Sequence, residues 1–191
     1  IPTSSLRGLR LLTRQRSELK GDVARFKNRL TAYLDQIFPG YGEVFSDVGG
    51  SASRAVLHMC PTPEKLLNAD GSLLAKAICE AGNKGPKFGA EKAAKLREAA
   101  GSAQVIGVRS ASNASLIKNV LDIIEGLLAA IQRIEGEIKE LVTQDTRLDE
   151  DVKLLCSIPG IGFSSAVVIV AEMGDISLFR KPKRLATYFD I

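Results

Sequence analysis

Residues 115–156 read SLIKNVLDIIEGLLAAIQRIEGEIKELVTQDTRLDEDVKLLC, and the spacing of their apolar residues decides the fold class. Val120, Ile124, Leu127, Ile131, Ile134, Ile138, Leu141, Leu148, Val152 and Leu155 follow one another in alternating steps of three and four, with Asp145 the one polar interruption. That period places them on one helical stripe, the pattern of a coiled-coil seam. As a single helix the stretch would reach about 60 Å at 1.5 Å per residue. A helix of that length needs a partner helix along its apolar stripe.

A matching seam lies upstream. Leu9, Leu12, Leu19, Val23, Phe26, Leu30, Tyr33 and Ile37 keep the same spacing, broken at Arg16, and Pro39-Gly40 ends the run. Charge suggests how the two segments relate. Residues 5–37 carry eight basic side chains (Arg7, Arg10, Arg14, Arg16, Lys20, Arg25, Lys27 and Arg29) against three acidic ones, a net of +5, whereas residues 115–156 carry five against nine, a net of −4. Opposite flanking charge sets partner choice between helices, so the two are expected to pair, within one chain or between chains. The basic helix reads equally as a nucleic-acid contact and as a solvated or partner-facing surface, and both can hold on different faces.

Between the seams, residues 39–114 form a small helical insertion. Turn signals stand at Gly49-Gly50, Pro61-Thr62-Pro63, Asp70-Gly71 and Gly82 to Gly89. Short helices are expected over Ala52–Met59, Ser72–Ala81 and Ala90–Ala100, with Gly101 as a stop. The loop from Gly82 to Gly89 carries Lys84 and Lys87, but it lacks the Gly-Lys-Ser/Thr of a phosphate loop and follows no strand. It reads as a turn between helices.

The most specific signal follows the second seam. Leu155-Cys156-Ser157-Ile158-Pro159-Gly160-Ile161-Gly162-Phe163-Ser164-Ser165-Ala166-Val167-Val168-Ile169 fits a helix-hairpin-helix pattern. Gly160 and Gly162 let the turn be tight and leave backbone amides unshielded by a Cβ. The next helix then presents its N-terminus, with unpaired N–H groups and the positive end of its dipole, to an anion. Ala166 permits close helix packing, Ile158, Ile161 and Ile169 are expected to hold the pair, and Ser164 and Ser165 offer hydroxyls. Contacts of this kind reach the phosphate backbone and carry no base sequence. Downstream, Arg180-Lys181-Pro182-Lys183-Arg184 extends the positive footprint. The candidate backbone-binding set is therefore Gly160, Ile161, Gly162, Ser164, Ser165, Arg180, Lys181, Lys183 and Arg184. A purely structural turn is the competing reading.

Composition narrows the remaining classes. The chain has 191 residues, 45% hydrophobic and 25% charged, so it can bury a core; the absence of Trp and the 5% aromatics argue against an aromatic-rich β-sandwich or a base-stacking platform. Cys60, Cys79 and Cys156 lie too far apart for a Cys-x-x-Cys pair and read as thiols of a reducing, cytoplasmic compartment. His58 and Cys60 offer two zinc ligands where three or four are needed, and there is no second histidine, so no metal site is expected. Ala166–Ala171 is far short of the roughly 20 apolar residues of a membrane span. The Arg-studded start does not resemble a signal peptide, and Ile1 in place of Met reads as a fragment or processed piece.

The run Ser157 to Gly162, then Ala171-Glu172-Met173-Gly174-Asp175-Ile176, Phe179 and Leu185-Ala186-Thr187-Tyr188-Phe189, resembles the C-terminal region of the DEDD insertion-sequence transposases of the "IS one-ten" type, relatives of the Piv DNA invertase. Leu9 to Arg16, Asn28-Arg29-Leu30, Phe38-Pro39 and the second long helix are similar too, while Asp190 stands where the family pattern has Gly. The resemblance implies a RuvC-like nuclease domain with acidic Mg²⁺ ligands ahead of this stretch and a domain with a serine nucleophile beyond it. Neither motif is matched in the chain, so no catalytic residue is carried over, and Glu172 and Asp175 do not make a metal site. The hairpin glycines do match. The resemblance further implies DNA as partner, a structured guide RNA in some members, and multimeric assembly.

The expectation is an all-α chain: a coiled-coil helix over residues 1–38, the insertion over 39–114, a second coiled-coil helix over 115–154, and the start of a helix-hairpin-helix domain over 155–191. Its role would be oligomerisation and grip on nucleic-acid backbone within a transposase. The rivals are a non-catalytic hairpin protein of DNA repair or junction binding, and a structural coiled-coil scaffold.

Overall fold

The computed structural model describes residues 4–174, and every regular element in them is an α-helix: α1 (Ser4–Ile37), α2 (Tyr41–Val44), α3 (Ser51–Met59), α4 (Pro63–Leu67), α5 (Gly71–Gly82), α6 (Pro86–Ile106), α7 (Asn113–Gln144), α8 (Thr146–Cys156) and α9 (Phe163–Met173). The all-α expectation holds over these residues. No described helix is long and apolar enough to cross a membrane. The chain divides into two compact units, one comprising residues 21–128 and the other residues 1–20 with 129–191.

In the unit of residues 21–128, the apolar stripe of α1 (Leu30, Leu34, Ile37) and that of α7 (Ile117, Val120, Leu121, Ile124) share a core with Val56 and Leu57 of α3, Leu74 and Ile78 of α5, and Leu96 and Ala100 of α6. The turn at Pro39-Gly40 is made by Gly40 at φ +86°, a left-handed conformation that glycine adopts without penalty. Around it Phe38 and Tyr41 meet edge to face with ring centroids 5.1 Å apart, and Tyr41 and Phe45 meet tilted at 5.6 Å. Tyr41 is fully buried, and its hydroxyl meets the backbone carbonyl of Ser53 at 3.2 Å and the Ser53 hydroxyl at 3.0 Å, so the phenol is not left unsatisfied. Burial pushes its ionisation far above the usual tyrosine range.

Two expectations for the insertion change. Gly101 does not stop a helix, because α6 continues to Ile106. Ala100 and Ala103 on either side of Gly101 are buried, and that packing outweighs the weak helix preference of glycine. Gly89 lies inside α6 rather than in a loop, where a Cβ would stand 2.3 Å from the Ala75 carbonyl oxygen, so glycine is what lets α5 and α6 touch. The turn between them is short: Asn83 caps α5 in the left-handed region at φ 48°, and Pro86 opens α6.

In the other unit, Leu6 and Leu9 of α1 pack with Ile134, Ile138 and Val142 of α7, Leu148 and Val152 of α8, and Ala166, Val167, Val170 and Ala171 of α9. Here α1 and α7 pair within one chain and run antiparallel: Gly8 lies against Leu141, and Arg16 against Glu135. The buried line along α7 drifts from Ile134 and Ile138 to Val142, leaving Leu141 half-buried. That drift is expected of a straight helix with 3.6 residues per turn against a 3.5-residue repeat.

The single 60 Å helix expected over 115–156 is corrected. α7 ends at Gln144, and Asp145, in extended backbone, starts α8 by accepting a hydrogen bond from the Leu148 amide at 3.3 Å. The polar interruption of the seam is an N-cap.

Candidate nucleic-acid interface

The hairpin is built from α8, an exposed turn over residues 157–162, and α9. Ser157 closes the end of α8, its amide bonding to the carbonyls of Lys153 and Leu154. Gly160 reverses the chain at φ +92°, and a Cβ there or at Gly162 would meet nothing within 4 Å. Gly162, at φ −86° and ψ 167°, is the N-cap of α9, and its carbonyl accepts from the amides of Ser165 and Ala166, both at 3.0 Å. With glycine at the cap, no side chain among the described residues makes a capping hydrogen bond at the helix start, and the first turn of α9 has no acidic residue. The geometry is a helix end whose leading amides stand beside two residues without side chains.

Ser164 and Ser165 lie exposed on the first turn of α9, and Ile161 is half-buried against the core of this unit. Ile158 departs from expectation. It is 48% exposed, because α8 ends at Cys156 and the turn carries residue 158 off the face that Leu148 and Val152 bury. The hairpin is instead held by those two residues against Ala166, Val167 and Val170. Lys153, on α8, is paired with Asp149 at 2.6 Å, which raises its pKa. Arg180, Lys181, Lys183 and Arg184 lie outside the described residues.

The basic face of α1 is largely taken up inside the chain. Arg10 donates from Nε to the Ala171 carbonyl at 2.8 Å and from Nη2 to the Glu172 carbonyl at 3.2 Å. Arg14 closes a two-point pair on the Glu172 carboxylate, both contacts at 2.9 Å. The Arg14 hydrogen bond holds that carboxyl below the usual glutamate range, helped by the charges of Arg14 and Arg10. Arg16 and Lys20 both lie 3.8 Å from Glu135. Lys27 pairs with Asp47, and Arg25 with Asp22. The partner-facing reading describes Arg10, Arg14, Arg16, Lys20 and Lys27, whereas Arg25 pairs within its own helix and is exposed, as are Arg7 and Arg29.

One cluster escaped the sequence reading altogether. His58 on α3 meets Asp122 and Glu125 on α7, with ligand atoms all within 4.8 Å of one another, and Nε2 of His58 lies 2.9 Å from Glu125. Only the one-turn spacing of Asp122 and Glu125 was visible beforehand. Arg54 sets its Nε 3.5 Å from the same Glu125 oxygen, so a guanidinium already faces the carboxylate. A guanidinium on the Glu125 carboxylate and an imidazole in the donor set do not suit the Mg²⁺ that the family resemblance implies for a nuclease domain. Cys60 is buried in the apolar core with its thiol pKa raised by burial, outside this cluster.

Comparison with known proteins points to one class. Residues 152–189, the segment holding the hairpin, match the model of the Transposase IS116/IS110/IS902 family. The similarity also runs nearly the whole length of the chain. It is 30% identical over 189 residues, 98% of this chain, to the insertion element IS116 uncharacterized 44.8 kDa protein of Streptomyces clavuligerus. The chain spans 45% of that protein's length. No solved structure matches.

Proposed function

We propose that this chain is part of an insertion-sequence transposase of the DEDD, Piv-related type, and that its α8–α9 hairpin works as a helix-hairpin-helix grip on nucleic-acid backbone. The observation that carries the reading is the start of α9. Gly160 and Gly162 leave the approach to its amides open, no side-chain oxygen or acidic first turn competes for them, and the segment is the one similar to transposases. A phosphate there gains N–H donors and the positive end of the helix dipole. The grip is indifferent to base sequence, because donors of this kind meet phosphate oxygens only. Arg180, Lys181, Lys183 and Arg184 add counterion release to it.

DNA is the proposed partner, with a structured guide RNA as a second. Assembly into a homo-oligomer is proposed through the surface that the pairing within one chain leaves exposed on the long helices, which includes Leu11 of α1 and Leu116 and Ile123 of α7. Cleavage and joining belong to acidic Mg²⁺ ligands and a serine that the resemblance places outside this chain.

The deciding experiment is a titration of labelled duplex DNA of two unrelated sequences over a range of salt. The reading expects equal affinity for both and a log–log slope near −0.9 for each phosphate neutralised. Absence of binding at low salt would leave the hairpin as a structural turn and the chain as a scaffold.

A further inference from the structure

The contact between α1 and the end of α9 uses two arginines where packing alone would need neither. Arg10 serves the carbonyls of Ala171 and Glu172, which belong to the last turn of α9 and have no partner within the helix. Its charge sits at the negative end of the α9 dipole. Arg14 fixes the Glu172 side chain by a fork of two parallel hydrogen bonds, a geometry that sets direction as well as distance. Gly174, at φ +73°, ends the helix beside α1, where a Cβ added to it would stand 3.6 Å from Leu6. The far end of the same helix is the uncapped start at Gly162.

We infer that Arg10, Arg14 and Glu172 are positioning residues that aim the leading amides of α9 at the phosphate. The inference rests on the reading of the hairpin as a backbone grip. α9 has eleven residues and is about 16 Å long, so a tilt of about 10° at the Glu172 end moves the amides at the other end by about 3 Å. A displacement of that size breaks a hydrogen bond whose heavy atoms must lie within about 3.2 Å. Ala166, Val167, Val170 and Ala171 fix where α9 lies but are small and apolar, and they offer no directional contact. The arginine fork supplies it.

The rival is that Arg14 itself takes a phosphate and Glu172 competes with it, and the two ideas predict opposite signs. As positioning residues, Arg14→Gln and Glu172→Gln each weaken duplex binding by about tenfold, the loss of one good hydrogen bond to a charged group. The salt slope stays that of the parent, because no phosphate-neutralising charge has gone. The charge exchange Arg14→Glu with Glu172→Arg recovers most of the affinity. If Arg14 contacts phosphate directly, Glu172→Gln tightens binding and Arg14→Gln flattens the slope by about 0.9. Either result overturns the inference.

The readouts are fluorescence anisotropy on a labelled duplex with the 191-residue chain, and amide hydrogen exchange on the same proteins. Both are run below the melting transition of each variant. Exchange in Glu172→Gln should rise over residues 157–165 and stay at the parent level over residues 21–128. Weakened binding without that local rise is a general loss of stability and sinks the positioning role. Failure of the parent chain to bind duplex at low salt removes the hairpin reading itself, and the positioning role with it.

Discussion

Arg16 lies in the apolar seam of α1 with its side chain 8% exposed, and its guanidinium faces Glu135 of α7 at 3.8 Å. Its Nε has no hydrogen-bond partner among the described residues, and Lys20 draws on the same carboxylate oxygen. A charge so placed is expensive to keep and worse to abandon. Glu135→Ala should therefore destabilise the chain by about 1–3 kcal/mol, the range for leaving a buried polar group unsatisfied, kept to this range because Glu135 is itself 38% exposed. Replacing Arg16 by Leu should be neutral or stabilising, since the stripe then continues unbroken. Urea denaturation of both variants measures this; equal loss from the two would mean that the pair is a net contributor.

Gly89 and Gly101 both sit inside α6, and their substitutions should have opposite signs. At Gly89 a Cβ meets the Ala75 carbonyl oxygen and Cys79 Sγ at 2.3 Å, so Gly89→Ala must push α5 and α6 apart. Overpacking of this kind costs about 1–3 kcal/mol. At Gly101 a Cβ meets nothing within 4 Å, and Gly101→Ala should stabilise by about 0.5–1 kcal/mol through helix preference alone. Thermal melts of the two single variants decide it.

The two glycines also show what the sequence can and cannot reveal. Periodicity located α1 and α7 and most of their buried stripes, because burial along a helix repeats with the helix itself. It misread Asp145 as a flaw in one long seam, since the three-four spacing continues across the break and only the capping geometry ends α7. It misread Gly101 as a stop, because local preference yields where neighbouring alanines are packed. The hairpin turn was legible from its glycines, whose backbone demands are local. The fork of Arg14 on Glu172 was not. The two are 158 residues apart, and an arginine facing a phosphate and one facing a carboxylate look alike in sequence. The meeting of His58 with Asp122 and Glu125 was hidden for the same reason.

Acid should loosen the Arg14–Glu172 fork. The folded-state pKa of Glu172 is held below its ordinary value of 4.5 by the hydrogen bond from Arg14 and the charges of Arg14 and Arg10. A depressed carboxyl contributes stability that is present above the unfolded value and lost as pH falls through the folded one. The difference in melting temperature between the parent and Glu172→Gln should thus be constant near neutrality and shrink below about pH 4.5. High salt should shrink it as well, because the pair is partly exposed. A difference that grows on acidification would show that Glu172 does not rely on its charge.

Gly160 and Gly162 separate the geometry of the turn from its contact with phosphate. Gly160 stands at φ +92°, where an L side chain costs roughly 1–2 kcal/mol whatever the space around it. Gly162 stands at φ −86° in extended backbone with open surroundings, so valine fits there without strain. Gly162→Val should accordingly cost only the weaker N-cap preference of valine, about 1 kcal/mol, with no backbone strain, while placing two methyl groups beside the leading amides of α9. Duplex affinity should fall for every sequence alike, since the lost contact is to backbone. Gly160→Val should lose both stability and affinity, and so serves as the contrast. Substituting Lys181, Lys183 and Arg184 together should act differently again, flattening the salt slope by about 0.9 for each phosphate no longer neutralised. Affinity of Gly162→Val equal to the parent at matched salt, with the fold intact, would show that the amides of this turn do not meet the phosphate.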